Sequence, residues 1–321
     1  MADFIQALKR AVKKVLAARH AKQREAALRA EAPHIDRATI VQGLRAMGIG
    51  PGDIVMLHSS LKSLGFVEGG PREVLEAVYE AISPGGTLVV PTYYLPGGTI
   101  YNTCKMTDYV FDPRVHGSNL GALPAAFLTL PGIERSIHPT HSVSAIGPRA
   151  KEIVGSHHLA PSVFGEGSPW ERCLSLNAKV LGLGISMGPV TFYHLLEDRM
   201  LERFPLPVRM SETYQMPCRD WQGHLVQVPV TPLDPIYMPQ RIDHKSRADL
   251  RQFYYEEFSR AGLLKAGKVG EARSWWIPAQ DFYAHLETLA GRGLTIYATA
   301  EQLQAAAAAH ATTANTTSTQ A

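Results

Sequence analysis

Cysteine is scarce in this chain. There are three in 321 residues, Cys104, Cys173 and Cys218, far apart and with no CxxC pair. A disulfide scaffold and a zinc ribbon are thereby disfavoured. No run approaches the roughly 18 consecutive apolar residues of a membrane span. The N-terminus is charged from Lys9 onward and lacks the apolar stretch of a signal peptide. A cytoplasmic protein without an integral membrane span is therefore expected. Neither sign of charge dominates: 32 basic residues face 29 acidic ones, which does not suit a nucleic-acid binder. Walker A and GxGxxG loops are missing. No GxSxG nucleophile elbow is read and no cysteine neighbours a histidine, so a covalent acyl-enzyme is not expected.

What charge asymmetry exists is local. Residues 1–31 hold eight basic and three acidic side chains, a net +5, which leaves −2 for the rest of a chain whose total is +3. Phe4, Ile5, Leu8, Val12, Val15 and Leu16 recur there at helical spacing. Residues 1–32 thus read as a basic amphipathic helix, an arm for the body or for a second copy in a homodimer. At the other end, residues 306–321 are Ala-rich and then Thr/Ser/Asn-rich, and read as a disordered tail.

Between them, residues 33–305 read as one domain in which helices and strands alternate. Residues 37–47 are helical in pattern, 53–58 form a buried strand, 71–82 a helix and 87–90 a second strand after the turn Pro84-Gly-Gly86. That is a βαβ unit, hence a parallel sheet with a right-handed crossover. Helices at 119–130, 148–155 and 190–203 and a strand at 179–185 extend it. Beyond residue 204, prolines and short alternating runs at 208–216 and 224–230 predict antiparallel strands, followed by helical stretches at 254–261 and 281–291.

The stretch from Gly182 to Asp198 carries the most chemistry. Gly188 and Pro189 break the strand and open a helix. His194 stands one turn in, with Glu197 and Asp198 at i+3 and i+4 on its face. A histidine held by a carboxylate just past a strand end is what a general base needs. A packing or capping histidine is the alternative. Two further clusters stand out. The loop from Ser59 to Gly70 is rich in small residues that let a ligand approach backbone N–H groups. The segment Arg135-Ser-Ile-His-Pro-Thr-His-Ser142 groups two histidines and an arginine, but no carboxylate or cysteine lies at ligand spacing, so no metal centre is expected.

Ordered motifs tie these pieces together: His58-Ser-Ser-Leu with Ser63-Leu-Gly65, Gly85-Gly-Thr-Leu88 with Pro91-Thr92, Phe111-Asp112, Arg135-Ser and His138-Pro139 with Ser142, Gly182-Leu-Gly184, and Thr191-Phe with His194 and Glu197. In this order the chain resembles the aminoglycoside 3-N-acetyltransferase family over about residues 35–200. The resemblance implies a three-layer α/β/α fold with a central mainly parallel sheet and a smaller antiparallel accessory region. It implies acetyl-CoA as co-substrate and direct transfer to an amine. His194 would be the general base, oriented by Glu197. Ser59, Ser60, Leu61, Ser63, Leu64 and Gly65 would hold CoA, with Thr92 and Ser142 as further contacts. Asp112, His58 and Asp198 would face the acceptor, a small-molecule amine. Backbone N–H groups at the helix start, or the Thr191 hydroxyl, could stabilise the thioester oxygen. Aminoglycosides are polycations, yet the acidic residues form no dense run, so the acceptor stays open: an aminoglycoside, an amino sugar or another small amine. Another acyl donor such as malonyl-CoA, or a non-catalytic CoA- or sugar-binding member, are the rivals.

Overall fold

The computed structural model describes residues 30–318. The amphipathic helix expected over residues 1–32 lies almost wholly outside them. A seven-stranded sheet forms the centre. Its strands are β2 (Ile54–Ser59), β4 (Thr87–Pro91), β5 (Glu134–Arg135), β6 (Val143–Ile146), β7 (Lys179–Leu183), β10 (Lys265–Val269) and β11 (Ala272–Pro278), in the order β10-β11-β7-β2-β4-β6-β5. The two-residue strands β1 (His34–Ile35) and β3 (Phe66–Val67) pair with each other, and β8 (Tyr214–Arg219) pairs antiparallel with β9 (Leu225–Val230) as a separate hairpin.

The sheet is mixed. Strands β7, β2 and β4 run parallel at its middle, and every pairing outward from them is antiparallel. The expected βαβ unit is present: helix Gly70–Ile82, with proline in its first turn, connects β2 to β4. Alternate residues of the central strands enter two separate cores. Val55, Leu57, Leu88, Val90, Leu181 and Leu183 join one, and Met56, Val89 and Val180 join the other, as a strand buried on both faces requires. Helices Arg37–Ala46 and Gly70–Ile82 pack into the first core, and Ala248–Arg260 and Ala279–Gly291 into the second.

Gly182 fixes how β11 docks on β7. It pairs with Trp275, and a Cβ there would stand 2.3 Å from the indole. The ring therefore lies flat against bare backbone, and its Nε1 donates to the Ile185 carbonyl at 2.9 Å. The helix expected from residue 190 begins as a 3-10 turn, Thr191–Tyr193, and becomes α-helical only over His194–Met200. At the other end the boundary expected at residue 305 falls inside a helix, Ala300–Ser318, and Ala306 is buried. Among the described residues no helix is long and apolar enough to cross a membrane.

Candidate active site

A cavity of about 350 Å³ opens at the carboxyl ends of β2 and β4, where open sheets with parallel strands bind ligands. Leu57, His58 and Ser59 enter it from β2 and Val90 and Pro91 from β4. The segment following β7 supplies Gly188 to Thr191 and then His194. Most of the wall is apolar.

His194 sits at the first position of its helix, with its side chain 12% exposed. Its Nδ1 lies 3.0 Å from Glu197 Oε1. Glu197 is buried, and the Tyr297 hydroxyl donates to the same oxygen at 2.8 Å. Its Oε2 lies 3.7 Å from Arg209 Nη2. Burial alone would push this carboxyl up, but His194, Arg209 and Tyr297 outweigh it and hold it below the ordinary glutamate value. A carboxylate at Glu197 accepts from Nδ1–H, which fixes the tautomer and leaves Nε2 as the basic nitrogen. The Phe164 ring, 5.2 Å from the imidazole, packs beside it.

His58 is differently placed. Its Nε2 accepts from the Thr191 backbone N–H at 3.2 Å and lies 3.0 Å from the Thr191 hydroxyl. Its Nδ1 is buried without a hydrogen-bond partner. Burial pushes its pKa down to about 4, so the ring is neutral near pH 7. Thr191 Oγ1 also accepts from Trp170 Nε1 at 3.1 Å. Thr191 is thus committed to holding the helix start, not free for a thioester oxygen as the sequence had allowed. His141, from the Arg135–Ser142 cluster, lines the cavity too. It packs 4.7 Å from the Tyr93 ring, with its Nδ1 2.8 Å from Thr140 Oγ1.

Other expected site residues lie elsewhere. Thr92 and Ser142 are fully buried and do not line the cavity. The Ser142 hydroxyl donates to the Thr92 carbonyl at 2.9 Å and accepts from Arg135, so both brace the sheet end internally. Asp112 is locked in an ion pair with Arg114 at 2.7 Å, away from the cavity wall. Asp198 sits behind the wall, taking the Phe164 N–H at 2.8 Å and pairing with Arg209. Of the expected CoA loop, Ser59 lines the cavity, and Ser60, Leu61 and Ser63 continue from it as a 3-10 turn. Leu64 is fully buried in the core. Gly65 has φ +97°, and a Cβ would meet the Pro33 carbonyl at 2.8 Å, so its need for glycine is a packing need.

Three wall or support residues were not picked out by the sequence: Arg209, Arg241 and Tyr297. Arg241 is 11% exposed and pairs with Asp243 at 2.6 Å, both on the cavity. The expectation that the chain holds no G-x-S-x-G run needs correction. Gly184-Ile-Ser-Met-Gly188 has the G-x-S-x-G spacing of a nucleophile elbow. Here it is no elbow: Ser186 is exposed, does not line the cavity, and its Oγ contacts only the Gly188 N–H, at 3.4 Å.

A family model for aminoglycoside 3-N-acetyltransferase matches residues 56–290. The chain belongs to the aminoglycoside 3-N-acetyltransferase family. Aminoglycoside N(3)-acetyltransferases are acetyl-CoA-dependent N-acetyltransferases, and the chain is an enzyme of that class. Aminoglycoside N(3)-acetyltransferase IV of Salmonella sp is 33% identical over 264 residues, covering 81% of this chain and 89% of that protein. Aminoglycoside N(3)-acetyltransferase III of Salmonella sp is 30% identical over 255 residues, covering 76% and 87%. Among solved structures, aminoglycoside acetyltransferase AAC(3)-Xa is similar with a TM-score of 0.68 and 28% identity over 82% of this chain and 95% of that one. AAC-VIa bound to sisomicin has a TM-score of 0.67 and 27% identity over 81% and 99%. AAC-IIIb in a binary complex with CoASH, at 22% identity, a TM-score of 0.68 and coverage of 83% and 100%, shares the fold.

Proposed function

We propose that this enzyme moves an acetyl group from acetyl-CoA to an amino group of an aminoglycoside or amino sugar by direct general-base catalysis. The observation that carries the reading is the His194–Glu197 pair, held by Tyr297, at the wall of a cavity lying at the ends of parallel strands. With Nδ1–H donated to Glu197, Nε2 takes the proton of the amine as the C–N bond forms, and returns it to the sulfur as the C–S bond breaks. The buried Glu197 carboxylate stabilises the imidazolium that exists between these two transfers.

The residues present suit an acyl-CoA. Bound there, it supplies an activated acetyl thioester. The apolar wall and Ser59 accept the reacting end, while the cavity is too small for the nucleotide end. We place that end over the Ser60–Gly65 turn, beside the exposed Lys62. His58, whose residue lines the cavity and whose Nδ1 is buried without a partner, is assigned to hydrogen-bonding a bound ligand. The division of the strand residues between two cores supports a three-layer α/β/α architecture. We also propose a cytoplasmic homodimer with the residues 1–32 arm as its contact.

Thiol release from acetyl-CoA against a panel of amines tests the activity. Amine-dependent release is expected. Acetyl-CoA binding by calorimetry with no release for any amine would favour a non-catalytic member, and release from malonyl-CoA in preference to acetyl-CoA would change the donor.

A further inference from the structure

Two cavity-lining residues each hold a buried polar group with no hydrogen-bond partner among the described residues. His58 is the first. Its Nε2 accepts the Thr191 backbone N–H at 3.2 Å. A neutral imidazole that accepts at Nε2 carries its proton on Nδ1. That Nδ1–H is the unpartnered group. Tyr93 is the second. It follows β4 by two residues, lines the same cavity and is 5% exposed. Its hydroxyl is also buried and unpartnered. Its ring packs 4.7 Å from the His141 ring and 6.2 Å from the Trp170 ring. Burial raises its pKa, and the neighbouring Thr191 pulls it back only in part, so the phenol keeps its proton near pH 7. Both residues thus meet at Thr191, one turn before His194. They come from the carboxyl ends of β2 and β4, which are paired neighbours.

Resting on the acetyl-transfer reading above, we propose that His58 Nδ1 and the Tyr93 hydroxyl are catalytic donors, the two halves of an oxyanion hole for the thioester oxygen. The amine nitrogen gives its lone pair to the carbonyl carbon, and the C=O pair moves onto oxygen. Both donors bond that oxygen, and neither gives up its proton. The pair then returns as the C–S bond breaks, and the sulfur leaves with the proton that His194 Nε2 had taken from the amine. The chemistry of the two groups selects this atom. An Nδ1–H only donates, so its partner is an acceptor. A carbonyl oxygen accepts two bonds, whereas the attacking nitrogen has spent its lone pair and accepts none. Ser59, next to His58 on β2, already stands at the reacting end of the donor substrate. Leaving buried donors unbonded costs stability, but donors fixed in advance need no reorganisation when charge develops. A neutral imidazole N–H serves in this way, and burial keeps His58 neutral while His194 works as the base.

The test uses the full chain and two conservative variants. Tyr93→Phe deletes only an unpartnered hydroxyl. His58→Gln keeps a side-chain carbonyl to accept the Thr191 N–H but loses the donor at Nδ1. Thiol release is followed with acetyl-CoA and the amine of the panel above that the wild type acetylates fastest. Each variant should lower kcat by roughly 10²-fold or more, the usual worth of one such donor. The KM for the amine, and acetyl-CoA affinity by calorimetry, should stay nearly unchanged. Infrared difference spectra of bound acetyl-CoA, labelled with ¹³C at the carbonyl, give the second readout. The thioester stretch should lie below its free value in the wild type and move back toward it in each variant. A raised KM with kcat kept would place the donors on the amine substrate and overturn the inference. Unchanged turnover would overturn it too. So would a kcat loss without movement of the stretch, which marks a disturbed helix start. In all three cases the acetyl-transfer reading stands. Acetyl-CoA bound by the wild type but discharged by no amine would overturn that reading, and the inference with it.

Discussion

His194 and Glu197 stand one helical turn apart, and their geometry separates what each substitution should do. On the proposed mechanism, His194→Ala removes the nitrogen that takes the proton. We expect kcat to fall by roughly 10²–10⁴-fold, with acetyl-CoA affinity by calorimetry nearly unchanged. Glu197→Gln keeps the Tyr297 contact but loses the charge that faces the imidazolium, so its loss in kcat should be smaller. Near wild-type turnover in His194→Ala together with an inactive His58→Ala would move the base to His58. At this scale the sequence showed what is local. The His194–Glu197 spacing lies within one turn and could be read directly. Tyr297 reaches Glu197 from 100 residues away, and Arg209 and Arg241 arrive on irregular segments whose direction no periodicity encodes. Thr92 and Ser142, expected as ligand contacts, are buried away from the cavity for a related reason. A hydroxyl at a strand end looks the same in sequence whether it faces a ligand or is spent inside, as Ser142 is on a buried guanidinium and Thr92 on Ser144.

Elements show the same division. The three parallel strands were legible because each is a nearly continuous apolar run bounded by proline or glycine. The antiparallel flanks were not. β5 has two residues, β6 four, and β10 is Lys265-Ala-Gly-Lys-Val269, mostly exposed. β11 holds two tryptophans without the alternation of a one-sided strand, since both faces of it are buried. Its docking depends on the bare backbone at Gly182. Gly182→Ala should therefore destabilise the fold by about 1–3 kcal/mol, the usual cost of overpacking. Urea unfolding of the single variant, of Trp275→Leu and of the double variant checks this. The penalty should shrink when the indole is gone, and an equal penalty in both backgrounds would refute the packing account.

For the molecule as a whole, the buried histidines set a limit on acid stability. Burial pushes His58 down to about 4 and His157 down to about 3, and holds His138 and His141 well below their ordinary value of 6.5. Each is neutral when folded and protonates readily when unfolded. Below pH 6.5 the unfolded chain then binds more protons, so stability falls as pH falls. The contribution is complete above 6.5 and is lost progressively toward pH 4 and 3. The urea midpoint should stay flat above neutrality and drop steeply below 6.5, and a midpoint unchanged down to pH 5 would contradict this. The placement of the site across the chain has a different consequence. His58, His194 and Glu197 all precede residue 200, whereas the cavity-lining Arg209, Arg241, Asp243 and Ile296 all follow it. On the proposed mechanism, the proton-transfer pair is thus encoded before residue 200 and a separate share of the cavity wall after it. A chimera that takes residues from 204 onward from a relative would inherit that relative's taste in amines, provided the incoming segment still brings a strand to cover β7.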